Sequence, residues 1–137
     1  YEGGFAMSEA NVSVSSDGKS HNEAPRRPPE VEKFVDTFLS TVCDTSRRYI
    51  LELLAIPHGK DDDSMPEWRS GDIARAIGLS APTTSEHLRQ LTNAGLLTSR
   101  REGNVVYYSL RNHSLVQAFQ DLLLAVDKHH VEFLSPE

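Results

Sequence analysis

The sequence predicts a mainly α-helical fold carrying one small β-hairpin, in the order of a winged helix-turn-helix. Three observations lead there. The segment Gly78-Leu79-Ser80-Ala81-Pro82 interrupts a helical pattern with a tight turn and then restarts it. Two short strand-like runs, residues 96–101 and 105–110, flank Glu102-Gly103-Asn104, a hairpin turn signal. Apolar residues recur at helical spacing on both sides of this block. Folds of this order mostly lay their second helix in a DNA major groove.

Each element has its own cause. Over residues 30–42, Val31, Phe34, Val35, Phe38 and Val42 fall at i, i+3, i+4, i+7 and i+11, one face of a helix, with Pro28 and Pro29 as the start signal. Asp44 or Thr45 caps a second helix, 46–55, whose apolar side is Tyr49, Ile50, Leu53 and Leu54, and Pro57 and Gly59 end it. Residues 58–67 read as a polar loop. A short helix over 69–77 turns Ile73 and Ile77 inward, and Gly78 closes it in the left-handed conformation.

Ser80 caps the next helix. Pro82 is tolerated there because first-turn N–H groups have no intrahelical partner. Thr84, Leu88 and Leu91 point to the core, and Asn93-Ala94-Gly95 stops the helix. In the hairpin, Gly103 and Asn104 are expected at positive φ. Residues 113–133 form a long last helix with Leu115, Val116, Phe119, Leu122, Leu123, Val126 and Phe133 along one stripe.

A chain of 137 residues suits one small domain. Residues 1–29, rich in Ser, Asn, Glu, Gly and Pro, lack the apolar surface to offset ordering entropy and read as a disordered tail. Residues 1–6 look vector-derived, with Met7 the expected native start. Residues 30–137 are expected to form the winged helix-turn-helix, DNA-binding domain. No apolar run approaches the roughly 18 residues of a membrane span, and the single cysteine cannot form an internal disulfide, so a cytoplasmic, reducing setting is expected. Cys43 follows an apolar helix face and reads as buried and inert.

The net charge of −6 argues against a nucleic-acid partner until its distribution is counted. Residues 69–112 hold Arg69, Arg75, Arg89, Arg100, Arg101 and Arg111 against Asp72, Glu86 and Glu102, a local +3 that leaves −9 to the rest. Positive charge therefore gathers on the segment that would meet phosphates, all of it as arginine.

From about Val31 onward the chain resembles the ArsR/SmtB family of bacterial transcriptional repressors. The residues that carry the resemblance are Asp44-Thr-Ser-Arg47, the stretch Gly78-Leu-Ser80-Ala-Pro-Thr-Thr-Ser-Glu-His-Leu88, Asn93-Ala-Gly-Leu-Leu97, and Arg101-Glu-Gly-Asn-Val-Val-Tyr-Tyr-Ser-Leu110. The resemblance implies a homodimer built on the first and last helices, an inverted-repeat operator in double-stranded DNA, and release by a signal. The apolar stripes support the dimer independently, because they bracket a winged core too small to cover both. Val31, Phe34, Val35, Phe38, Phe119, Leu122, Leu123 and Val126 are the expected interface.

With Thr84, Leu88 and Leu91 in the core, the second helix of the motif turns Thr83, Glu86, His87 and Gln90 outward. Thr83 or Gln90 suits base edges, Gln preferring adenine, and Glu86 suits a cytosine amino group. Ser85 suits phosphate or backbone contact. His87 fits a DNA contact and a partly buried packing role equally well. Arg100 and Arg101 flank the wing tip, where minor-groove or phosphate contact is expected. Ser80 and Asn104, at the head of the helix and the tip of the hairpin, complete the DNA-facing set. Arg89 reads as a backbone contact or ion pair, and Arg47 as a tie between helices.

Two metal sites that the resemblance implies are absent: Arg69 and Gly71 stand where one needs thiolates, and Asn112, Ser114, Ala125 and Lys128 occupy the other. Asp127, His129 and His130 are a weaker cluster near the C-terminus, suited to zinc or nickel only if a second subunit completes the shell, and otherwise a polar helix end. No cofactor is expected. Nothing in the sequence groups a nucleophile with a base or forms a phosphate loop, so no enzyme is expected. The acidic total leaves a protein-interaction module as the rival from another class.

Overall fold

The computed structural model describes Ala24, residues 26–57 and residues 66–134. Most of the expected tail and residues 58–65 of the polar loop lie outside these. The elements run α1 (Pro29–Thr41), α2 (Thr45–Leu54), β1 (Trp68–Arg69), α3 (Ser70–Ile77), α4 (Ala81–Asn93), β2 (Leu97–Glu102), β3 (Val105–Leu110) and α5 (His113–His129), followed by one π-type turn, His130–Leu134. Among the described residues no helix is long and apolar enough to cross a membrane.

Caps set the boundaries. The Asp44 carboxylate accepts from the Arg47 N–H at 3.0 Å and opens α2, which settles the choice between Asp44 and Thr45. Arg47 Nε reaches back to the Thr41 carbonyl at 2.6 Å and the Arg48 guanidinium to that of Val42 at 2.8 Å, so two cations close the carboxyl end of α1. Arg47 thus ties helices together, as expected. Gly78, at φ 75°, ends α3 by donating to the Ala74 carbonyl, in a conformation an L side chain would strain. The Ser80 hydroxyl accepts from the Thr83 N–H at 3.3 Å and opens α4, with Pro82 in its first turn. Asn112 caps α5 by accepting from the Leu115 N–H at 2.9 Å.

The core gathers Ile50, Leu51 and Leu54 of α2, Ile73 of α3, Leu88 and Leu91 of α4, Leu96, Leu97, Leu110, and Val116 and Phe119 of α5. Burying one such leucine fully is worth about 2 kcal/mol. Phe38 meets Phe119 edge-on, ring centroids 5.5 Å apart, and so joins α1 to α5.

Three expectations need correction. The described sheet has three strands in the order β1-β3-β2: Arg69, expected as the helix start, and Trp68, between the expected loop and helix, pair with Tyr107 and Tyr108. A two-residue strand has no period to read, and it exists because β3 offers a free edge. In the hairpin, Glu102 faces Val105 across a two-residue turn. Only Gly103 takes positive φ (64°), the sign pattern of a type II′ turn in which Asn104 stays on the ordinary side. Cys43 is exposed, because α1 ends before it. Along the α5 stripe, Val116 and Phe119 are buried, and Leu122, Val126 and Phe133, outside the subunit's core, stand more than half exposed.

Phe119 also has to leave the list of interface residues. It is 8% exposed and belongs to the subunit's own core, with Phe38 and Leu123 packed against that core. Val31, Phe34, Leu122 and Val126 are exposed at 37, 50, 53 and 55%, and Val35 is half-buried.

Candidate nucleic-acid interface

Helix α4 is anchored along one side and bare along the other. Thr84, Leu88 and Leu91 are at most 1% exposed, while Thr83, Ser85 and Glu86 are exposed and Gln90 is half-buried. That division follows from the i, i+4, i+7 spacing of the three core residues on a short amphipathic helix. The Thr84 hydroxyl is buried with no hydrogen-bond partner among the described residues.

The polar face is organised by one carboxylate. Glu86 takes two hydrogen bonds from the Arg89 guanidinium, at 3.2 Å and 2.5 Å, and a third from the Gln90 amide nitrogen at 2.9 Å. Arg89, then Gln90, hold the Glu86 carboxyl below its ordinary range, so it is an acceptor only at neutral pH. Arg89 is accordingly an ion-pair residue in this structure, one of its two expected roles.

His87 does not point outward with these residues. Its side chain is 14% exposed, and Nδ1, which has no hydrogen bond among the described residues, lies 4.0 Å from the Asp44 carboxylate at the head of α2. This partly buried position suits the packing role among the two expected of it. Asp44 is held below the ordinary aspartate range, first by the Arg47 N–H and, after an opposing burial effect, by the nearby His87.

On the wing, neighbouring arginines stand differently. Arg100 Nε and NH2 meet both Glu67 oxygens at 3.0 and 2.8 Å, NH1 meets Glu102 at 3.1 Å, and the guanidinium lies 4.6 Å from the Tyr107 ring centroid. These contacts push the Arg100 pKa up and the Glu67 pKa down. Because β3 lies between β1 and β2, the Glu67–Arg100 pair straps the sheet across its middle strand. Arg101, by contrast, forms no ion pair among the described residues, and neither does Arg111. Asn104 is exposed at the tip. Sequence reasoning missed Glu67 and Tyr107, since no local pattern joins residues 33 apart; cross-strand register is the signal that could have found Tyr107.

The remaining arginines of the basic segment are engaged as well: Arg69 meets Asp72 at 3.1 Å, and Arg75 pairs with the same carboxylate. Asp127, His129 and His130 lie exposed at the end of α5, where His129 packs on Phe133 at 5.0 Å. Among the described residues no three His, Cys, Asp or Glu side chains converge as metal donors.

Comparison with known proteins gives this geometry a context. The family description "bacterial regulatory protein, arsR family" matches residues 67–99, which span β1, α3, the turn, α4 and the start of β2. The transcriptional repressor SdpR of Bacillus subtilis is 31% identical over 94 residues, covering 69% of this chain and 94% of that protein. The arsenical resistance operon repressor of Staphylococcus aureus is 32% identical over 90 residues, covering 66% of this chain and 78% of its own length. Among solved structures, the homodimeric winged helix-turn-helix DNA-binding domain of a possible ArsR-family regulator from Mycobacterium bovis superposes with a TM-score of 0.61. It is 26% identical and covers 84% of this chain and 99% of its own.

Proposed function

The chain belongs to the ArsR family of bacterial regulatory proteins, and from that premise we propose a dimeric repressor that reads an inverted-repeat operator and is released by a signal. It is a DNA-binding transcriptional regulator and not an enzyme. The observation that carries the reading is the two-sidedness of α4: three residues sealed in the core leave Thr83, Glu86 and Gln90 on the other face, and on the wing Arg101 forms no ion pair among the described residues.

The dimer draws its support from α1 and α5, whose Val31, Phe34, Leu122 and Val126 stay exposed in the single chain. Isologous pairing of these faces would give two recognition helices related by a twofold axis, matching a palindromic site. We place the protein in the cytoplasm, where its DNA is. Lys128 and Ala125 at family ligand positions argue against that metal site as the trigger.

Fluorescence-anisotropy titration against the chain's own upstream promoter DNA at two salt concentrations tests the reading. Tight binding that weakens steeply with salt is expected, and Arg101→Ala should weaken it on every sequence while lowering the salt slope by about one. Binding to no promoter fragment would overturn the repressor and favour the protein-interaction module.

A further inference from the structure

Glu86 is an acidic residue on the face of α4 assigned to DNA, where a bare carboxylate would repel phosphate. Its hydrogen bonds suggest a different use. Being acceptor-only, it admits the Gln90 amide in one orientation: the nitrogen faces Glu86 at 2.9 Å, and the flipped amide would set oxygen against oxygen. The two Arg89 bonds fix the carboxylate itself and offset its charge. One Gln90 N–H is therefore committed to Glu86. The amide oxygen has no partner among the described residues, which leaves it and the second N–H for another group.

An oxygen acceptor beside an N–H donor is the pair that matches adenine in the major groove, where N6–H donates and N7 accepts. We propose that Glu86 is a positioning residue for base reading: it holds the Gln90 amide in the orientation that selects adenine at one position of each half-site. The proposal rests on the DNA-binding reading above. Glu86 on this account reads no base itself.

Selection from a randomised duplex library, followed by anisotropy titration of the selected and unselected duplexes, tests this. The full chain and its Gln90→Ala and Glu86→Ala variants are compared, after circular dichroism confirms that each is folded. The parent should enrich adenine at one position per half-site. Both variants should lose that preference by about tenfold at the same position and at no other. Glu86→Ala alone should also bind unselected duplex more tightly, because a negative charge is gone and Arg89 is released to phosphate. Selectivity falling while affinity rises is a signature that mere loosening of the helix would not give, since loosening lowers both.

Three results would overturn the proposal: Glu86→Ala keeping the parent's adenine preference, a changed base preference at a different position, or loss of affinity together with selectivity. A parent that enriches no sequence would defeat the DNA reading itself, which separates that failure from these.

Discussion

Helices α4 and α5 start from similar material and end in opposite situations. Both carry apolar residues at helical spacing and both are opened by a polar cap, Ser80 in one and Asn112 in the other. Every core-facing residue of α4 is sealed within its own subunit, whereas α5 buries Val116 and Phe119 and then leaves Leu122, Leu124 and Val126 at 53, 67 and 55% exposure. The difference teaches that a stripe read from spacing reports where a helix is apolar, not what covers it. A helix closed on its own domain can present a polar face; one left open asks for a second chain.

The comparison breaks most visibly in the core. Leu88→Ala should destabilise the subunit by about 3 kcal/mol, read from urea unfolding, because a fully buried leucine leaves a cavity in the core. A loss below about 1 kcal/mol would mean that α4 is not anchored as described. On the open side, Leu122→Glu should spare the fold and raise the dimer dissociation constant at least about a hundredfold, measured by analytical ultracentrifugation. An intact dimer would move the interface off α5. Phe119→Glu is the informative contrast, since it should unfold each subunit instead of releasing intact monomers.

Smaller effects sharpen the picture. Thr84→Val keeps the shape of a buried side chain and removes a hydroxyl that has no partner among the described residues, so it should stabilise by about 1 kcal/mol in urea unfolding. A destabilised variant would show that the hydroxyl is satisfied. The smallest effect concerns acid. Because the folded Asp44 pKa is lowered, its contribution is full above the unfolded value and is lost as pH falls through the folded one. Asp44→Asn keeps an acceptor for the Arg47 N–H but not the charge, so it should be slightly less stable than the parent near neutral pH and lose less stability between about pH 5 and about pH 3, the two curves converging in acid. Parallel pH curves would assign the acid sensitivity elsewhere.

Much of the fold was legible because its signals are local. Gly78 before Ser80 marks the turn, the i, i+4, i+7 set Thr84, Leu88 and Leu91 marks the inner side of α4, and β3 was read with its observed bounds. What escaped was set by partners far along the chain. Trp68 and Arg69 become a strand only because β3 presents an edge, and Arg100 is withheld from the unpaired set only because Glu67 arrives beside it. The side of α4 that would face DNA was legible, but the inward lean of His87 toward Asp44 was not, since a histidine beside two leucines fits either side of a helix boundary.

The strap from Glu67 to Arg100 has a mechanical consequence. Its near end adjoins β1, β1 runs without a break into α3, and α3 is joined to α4 by the short turn at Gly78. Hairpin and reading helix are therefore linked both by the strap and by the chain that runs from β1 through α3 to α4. Swinging the wing to meet a duplex whose half-sites are slightly too near or too far apart would have to break this strap. On the proposed dimer, adjustment to such a duplex would then fall more on the joint between the two copies of the chain than on the wing, and tolerance for operator spacing would be set by the faces of α1 and α5.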